Sequence, residues 1–228
     1  MAICLPGDTV PLNGARPGTG VCLLDGVTYQ GSATTAGVVR RSGDEVFVEN
    51  LRKRYIPRQG DLVIGIVSQR GAEAYKMDIR APCSAYLPTL AFNGATKRNR
   101  PTLEVGSLAL CRVEAAHPDL DIELSCIDHD TKKAWSTGEV ILGELTGGLS
   151  FEVAISSAIR LQDDDCFVLD RLGKEFAYEM CTGLNGRVWV KAKNARETVL
   201  LLQAIRRSFG MSDAQVEVMV QKIVELFS

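Results

Sequence analysis

The chain's 228 residues suffice for roughly one to two average domains, or about three small ones, and its 26 basic side chains nearly balance 28 acidic ones. A net charge of −2 excludes a free-standing nucleic-acid binder of the strongly basic kind, because phosphate neutralisation supplies most of such a protein's affinity. No apolar run approaches the roughly 20 residues of a membrane span, and the composition reads as that of a soluble globular chain with no membrane partner.

The opening "MAICLPGDTV" has no basic segment ahead of a long apolar one, so no secretory signal is expected. Residues 1–56 read as an all-β domain, with short apolar or alternating runs broken by Gly, Asp and Asn, and "RSGDEV" as a Gly-Asp hairpin corner. Residues 57–134 continue in β through "GDLVIGIVSQRG", "AYKMDI", "GSLALCRVEAA" and "DIELSCID", interrupted by the irregular "FNGATKRNRPTLEV". Short strands with glycine at their starts and one long basic loop predict a small Greek-key barrel of the OB kind.

After Trp135 the hydrophobic period changes, and residues 135–228 read as α+β. Ser150 is the expected N-cap of a helix whose face is Phe151, Ile155, Ala158 and Ile159, broken at Asp163-Asp164-Asp165. "CFVLDRL", "EFAYEM" and "RVWVKA" are strand-like. Two capped helices follow. Asn194 with Glu197 opens the first, with Val199, Leu202, Ile205 and Phe209 inward and a stop at Gly210. Ser212 with Gln215 opens the second, with Val216, Val220, Ile223 and Phe227 on one face.

The inventory for catalysis is poor. Seven cysteines (4, 22, 83, 111, 126, 166 and 181), with no C-x-x-C pair, fit reduced thiols in an intracellular protein, not a disulfide framework or zinc site. Both histidines, His117 and His129, fall in turn-like sequence, and Asp128-His129-Asp130 are too close in sequence to converge on one metal. A Cys126–His129 pair is conceivable as a hydrolase, but no oxyanion-loop signal accompanies it. No nucleotide-binding loop, nucleophile elbow or paired carboxylates appear. The reading is of a non-enzyme with no metal and no cofactor.

Two basic runs could meet phosphates. "GATKRNRP" puts Lys97, Arg98 and Arg100 on a shaped loop without an intervening acid, where an OB barrel grips single strands. "NLRKRYIPRQ" adds Arg52, Lys53, Arg54 and Arg58 beside Tyr55, and reads as a solvated or partner-facing strand. Trp135, Trp189, Tyr75 and Tyr86 are candidate stacking platforms, although Trp189, flanked by valines, reads as packing. Gly183-Leu184-Asn185-Gly186 matches the G-x-x-G phosphate clamp of KH domains and also contains a hairpin Asn-Gly. A KH clamp joins two helices, whereas the flanks here are strand-like, so this stretch reads as a corner between strands.

Four stretches carry a resemblance: "LPGDTV" (5–10), "RYIPRQGDLVIGIV" (54–67), "FNGATKRNRPTLEVG" (92–106) and "GLNGRVWVKAK" (183–193). With them the sequence resembles the cap subunits of the eukaryotic RNA exosome. The resemblance implies an N-terminal β domain (1–56), an S1 barrel of OB type (57–134) and a divergent KH domain (135–228). It implies a subunit without catalytic activity, seated with two other cap subunits on a six-membered ring of RNase PH-like proteins, in nucleus, nucleolus and cytoplasm. Single-stranded RNA would thread past it to a 3′→5′ exonuclease. Carried onto this chain, the family's G-x-N-G signature falls on Gly183, Asn185 and Gly186 and, with Trp189, supports packing of S1 on KH. The family's basic loop falls on Lys97, Arg98 and Arg100. S1 faces often carry a histidine, yet "CSAYLPTLAFNG" has none, leaving Tyr86 and Phe92. The alternative is a self-sufficient S1/KH single-strand binder acting outside the exosome.

Overall fold

The computed structural model describes residues 2–18, 20–23, 30–49, 54–117, 119–128, 135, 141–163 and 166–225. The chain divides into two compact units, residues 1–52 and 53–228.

The first unit is all β, as its alternating runs predict. β1 (Ala2–Cys4), β6 (Gly37–Ser42), β7 (Glu45–Glu49) and β3 (Arg16–Pro17) form one sheet in the order β1-β6-β7-β3. β2 (Thr9–Pro11), β5 (Gln30–Ala33) and β4 (Val21–Leu23) form a second, ordered β2-β5-β4. The Ser42–Glu45 pair closes β6 on β7 across Gly43-Asp44, with Gly43 at φ +53° as a two-residue hairpin turn requires. Val10, Leu12, Val46 and Val48 lead its small core.

The second unit begins with a barrel of β8 (Leu62–Arg70), β9 (Ala74–Asp78), β10 (Ala85–Pro88), β11 (Leu108–Ala115) and β12 (Ile122–Ser125). Pairing runs β8-β9-β10-β12-β11 and returns to β8, so no edge is left. The β10–β12 pair is parallel and the others antiparallel. This is the five-stranded OB topology. β10 lies in "CSAYLPTL", where Pro88 and the shortness of the strand hide it from a pattern reading. Its residues alternate, Ala85 and Leu87 inward, Tyr86 outward. Tyr55 also packs into the barrel core.

β13 (Gly143–Leu145) adds to β11, and a three-stranded sheet β14-β16-β15 follows, from β14 (Leu149–Glu152), β15 (Tyr178–Thr182) and β16 (Arg187–Ala192). α1 (Ile155–Leu161) and α2 (Phe167–Glu175) connect β14 to β15, and α3 (Ala195–Ser208) and α4 (Asp213–Glu225) end the chain. Val188, Val190, Leu172, Leu201, Ile205, Val216 and Val220 form the core between sheet and helices.

Several expectations fail here for identifiable reasons. Ser150 caps nothing: it pairs with Trp189 inside β14, and α1 starts from Ala154 without a side-chain cap. "CFVLDRL" is the start of a helix, because Val168, Leu169, Leu172 and Phe176 recur at helical spacing and pack on one core. A seven-residue apolar run does not separate the two periods. On α3 the buried face is Thr198, Leu201, Ala204, Ile205 and Ser208, while Val199 is exposed. Asn194 makes no backbone cap; its Nδ2 donates to Glu197 Oε1 at 3.0 Å, and Thr198 Oγ1 instead donates to the Asn194 carbonyl. Ser212 N–H donates to Gln215 Oε1 at 3.0 Å, half of the expected box. Phe227 lies outside the described residues.

Candidate nucleic-acid interface

The basic loop follows Phe92, whose backbone bridges to Cys126. Its first foot is fixed by Asn93: Oδ1 accepts from Asp128 N–H at 3.1 Å, and the carbonyl accepts from Trp135 N–H at 2.8 Å. Its second foot is fixed by the buried Tyr75, whose hydroxyl donates to the Pro101 carbonyl (3.0 Å) and accepts from Leu103 N–H (3.3 Å). Between the feet, Thr96 N–H donates to the Asn99 carbonyl (2.8 Å) and Asn99 N–H to Thr96 Oγ1 (3.1 Å). That closes a turn with Lys97 and Arg98 at its tip. Both are exposed and make no hydrogen bond or ion pair among the described residues. Arg100 is exposed but engaged: its Nη1 donates to Thr89 Oγ1 (3.0 Å) and the Ala72 carbonyl (3.3 Å). The structure thus brings Lys97 and Arg98 together at the tip and places Arg100 at the foot.

Of the aromatic candidates, Tyr86 is half-buried on the outer barrel face, in register with Lys76 on one side and Glu123 on the other. Phe92 and Tyr75 lie in the barrel core. Trp135 packs partly against that core. In the second basic run Arg54 and Arg58 are exposed, while Arg52 and Lys53 lie outside the described residues.

Gly183–Gly186 forms the turn between the antiparallel β15 and β16. Gly186 N–H donates to the Gly183 carbonyl at 3.0 Å, and Gly186 stands at φ +78°. The hairpin lies against the barrel so closely that a Cβ on Gly183 would come within 2.7 Å of the Ile64 nitrogen. Leu184 N–H donates to the Leu62 carbonyl at 2.8 Å. Asn185 is fully buried: Nδ2 donates to the carbonyls of Ile64 (2.8 Å) and Ile79 (3.1 Å), and Oδ1 accepts from Ile64 N–H (3.4 Å). One side chain thereby satisfies β8 and the segment after β9 together.

Strand β16 serves both sides of its sheet by alternation. Val188 and Val190 face the helices, whereas Trp189, 4% exposed, enters the barrel's core. Gly148 is required opposite it, since a Cβ there would sit 2.5 Å from the indole. Arg187, also 4% exposed, donates through Nη2 to Asp78 Oδ2 at 2.6 Å and through Nη1 to the Asp78 and Ile64 carbonyls.

Sequence reasoning missed Arg80, which occupies a left-handed backbone position (φ +63°) just after β9. Its Nη1 lies 3.1–3.4 Å from the carbonyls of Gly186, Asn185 and Val153. Glu152 stands near both cations, 3.8 Å from Arg80 Nε and 3.7 Å from Arg187 Nε. Two arginines and two carboxylates thus interleave, which compensates the buried Arg187 charge. Burial acts to raise the Asp78 carboxyl, but the Arg80 N–H and the Arg187 guanidinium outweigh it and hold it below the usual range. No motif announces Arg80. The only signal for Arg187 is its place in "NGRVWVKA", where a cation in a valine-rich strand must find an anion.

The loop joining α1 to α2, where a KH domain carries its phosphate clamp, reads Gln162-Asp163-Asp164-Asp165-Cys166. In sequence it has three aspartates and no glycine, and Asp164 and Asp165 lie outside the described residues. Cys126 is fully buried, its Sγ 3.5 Å from Cys111 Sγ, and that thiol–thiol contact together with burial pushes its ionisation well up, away from a nucleophilic thiolate. His117 is exposed, and His129 lies outside the described residues.

Comparison with known proteins agrees with this layout. Residues 55–138 match the family model described as "Exosome complex component RRP40, S1 domain", and residues 139–196 match a KH domain model. The Drosophila melanogaster exosome complex component RRP40 is 40% identical over 174 residues, covering 76% of this chain and 72% of the relative. The Schizosaccharomyces pombe rrp40 is 35% identical over 218 residues, covering 92% and 89%. A solved structure described as a candidate exosome complex RNA-binding protein shares the fold, with a TM-score of 0.62 at 19% identity over 77% of this chain and 99% of its own. With an S1 barrel clasped to a KH-type domain, and relatives at this identity spanning most of both chains, the protein belongs to the family of exosome complex component RRP40.

Proposed function

We propose that this chain is a non-catalytic RNA-binding cap subunit of an RNA exosome. It stabilises a ring of RNase PH-like subunits beside the other cap subunits and guides single-stranded RNA into the central pore for 3′→5′ processing and degradation. It works in nucleus, nucleolus and cytoplasm, and touches the attached exonuclease only indirectly. The observation that carries the RNA contact is the turn at 96–99, with fixed feet and, at its tip, two cations that pair with none of the described residues, on a chain whose net charge is −2. Such cations position a backbone and do not read bases. Half-buried Tyr86 and buried Phe92 offer little stacking surface, and the Asp163-Asp164-Asp165 sequence between α1 and α2 is unsuited to phosphate, so the contact falls to this barrel loop. A chain of slightly negative charge suits a subunit that shares affinity across an assembly.

The test is crosslinking of single-stranded RNA to the reconstituted assembly. Lys97→Ala with Arg98→Ala should leave assembly intact, weaken crosslinking at this subunit, and flatten the salt dependence by about 1.4 in log–log slope, about 0.7 for each lost phosphate contact. Unaltered crosslinking in the double variant overturns the loop's role. Tight, steeply salt-dependent binding by the isolated chain would instead support a self-sufficient binder.

A further inference from the structure

The helical end of the second unit carries a surface feature that RNA guidance does not use. A groove of about 450 Å³ runs between α3 and α4. Leu200, Ala204, Met219 and Ile223 line it, and Met211 and Val218 stand beside them, 39% and 51% exposed. A solvated helix pair ordinarily turns polar side chains outward; this one leaves an apolar channel. Two methionines make its walls adaptable to an apolar guest.

Among the described residues that line the channel the charge has one sign. Arg207 from the last turn of α3 and Lys222 from the last turn of α4 line it, with Gln203 and Gln215 and no carboxylate. Neither cation has an ion pair or hydrogen bond among the described residues. Glu217 of α4 is turned to α2, where Arg171 Nε donates to Glu217 Oε2 at 2.6 Å. A guest that satisfies this surface therefore needs apolar side chains for the channel and carboxylates for its rim.

We propose that the α3–α4 groove is a docking site for a short segment of a partner protein, apolar on one face and acidic beside it, bound in the helix-in-groove manner. An RNA strand fits the two cations but has no use for a methionine-lined channel. The site lies on elements distinct from the basic barrel loop, so it stands or falls independently of RNA guidance.

Fluorescence anisotropy with the full chain tests this. The probe is a labelled helical peptide of about 14 residues with leucine at i, i+3, i+4 and i+7 and glutamate elsewhere, set against the same peptide with lysine for glutamate. Saturable binding of the glutamate peptide is expected, at least about tenfold tighter than the lysine peptide, with a loss of about tenfold or more in Arg207→Glu/Lys222→Glu and in Met211→Asp/Val218→Asp. All four positions are exposed, and unchanged thermal melts will show that the variants fold. Should a variant melt early, chemical-shift changes confined to α3 and α4 in the unmodified chain give the same answer. No saturable binding, equal binding of both peptides, undiminished binding by folded variants, or equal competition from an oligouridylate overturns the proposal.

Discussion

Asn185→Ala removes the side chain that holds the β15–β16 turn to the barrel. Three hydrogen bonds go, to Ile64 N–H, the Ile64 carbonyl and the Ile79 carbonyl. The Ile64 carbonyl keeps Arg187 Nη1 at 3.4 Å, so two buried groups are left without partners. At about 1–3 kcal/mol for each orphaned group, the loss is about 2–6 kcal/mol. We expect about 2–4 kcal/mol, because the bond to Ile64 N–H is the longest of the three and contributes least. Urea unfolding followed by tryptophan fluorescence reads this directly, since Trp189 is buried in the barrel core. With a urea slope of about 1–3 kcal/mol per molar, the midpoint should fall by about 1–2 M at unchanged slope. Lys97→Ala, on the exposed tip, should stay within about 0.5 kcal/mol of the original. Asn185→Asp should be worse than alanine near neutral pH, because it retains the acceptor but aims a carboxylate oxygen at two carbonyls. A midpoint shift below about 0.3 M for Asn185→Ala, or an aspartate variant as stable as the original, would refute the reasoning.

Gly186→Ala should cost at least about 1–2 kcal/mol from the left-handed backbone alone, and more because its Cβ would lie 2.7 Å from the Val153 carbonyl; normal melting with lost RNA contact would contradict this. Trp189→Ala should cost about 3–5 kcal/mol through the cavity it leaves between barrel and sheet, read by the same urea titration; a loss under about 1 kcal/mol would count against that packing. Asp78 sets an acid limb. Its carboxyl is held below the ordinary value, so its contribution is full above the unfolded-state value of about 4 and is lost as pH falls through the lower folded-state value. Asp78→Asn should flatten the stability-versus-pH curve in that window, and identical acid limbs for the two proteins would contradict the assignment.

The sequence marked what depends on local chemistry. Gly43-Asp44 and Asn185-Gly186 are turns because only a few residue pairs bend strands so tightly, and the β8 and β11 runs are legible because they are long and apolar. It misled where two periods fit one short run. Phe167–Leu172 reads equally as strand or helix until Leu172 and Phe176 meet the core, and Ser150 looks like a cap until Trp189 lies opposite it. Thr198 takes the inward position on α3 that hydrophobicity assigns to Val199, because its hydroxyl bonds the Asn194 carbonyl and the Ala192 N–H. For the site, the exposed cations at 97 and 98 were readable as a basic run, but Arg100's engagement with Thr89 was not, since that contact spans separate elements. Arg80 was invisible for the same reason, and the strand around Arg187 announced only that it needs an anion, not which one: their partners lie 73 and 109 residues away in sequence.

Affinity purification of the full-length protein from its native source, with stoichiometric identification of what accompanies it, tests the central claim most directly. A set of RNase PH-like proteins with two further S1-containing subunits is the predicted result. Recovery of the protein alone, or only with RNA, would contradict a cap subunit and leave a self-sufficient RNA binder.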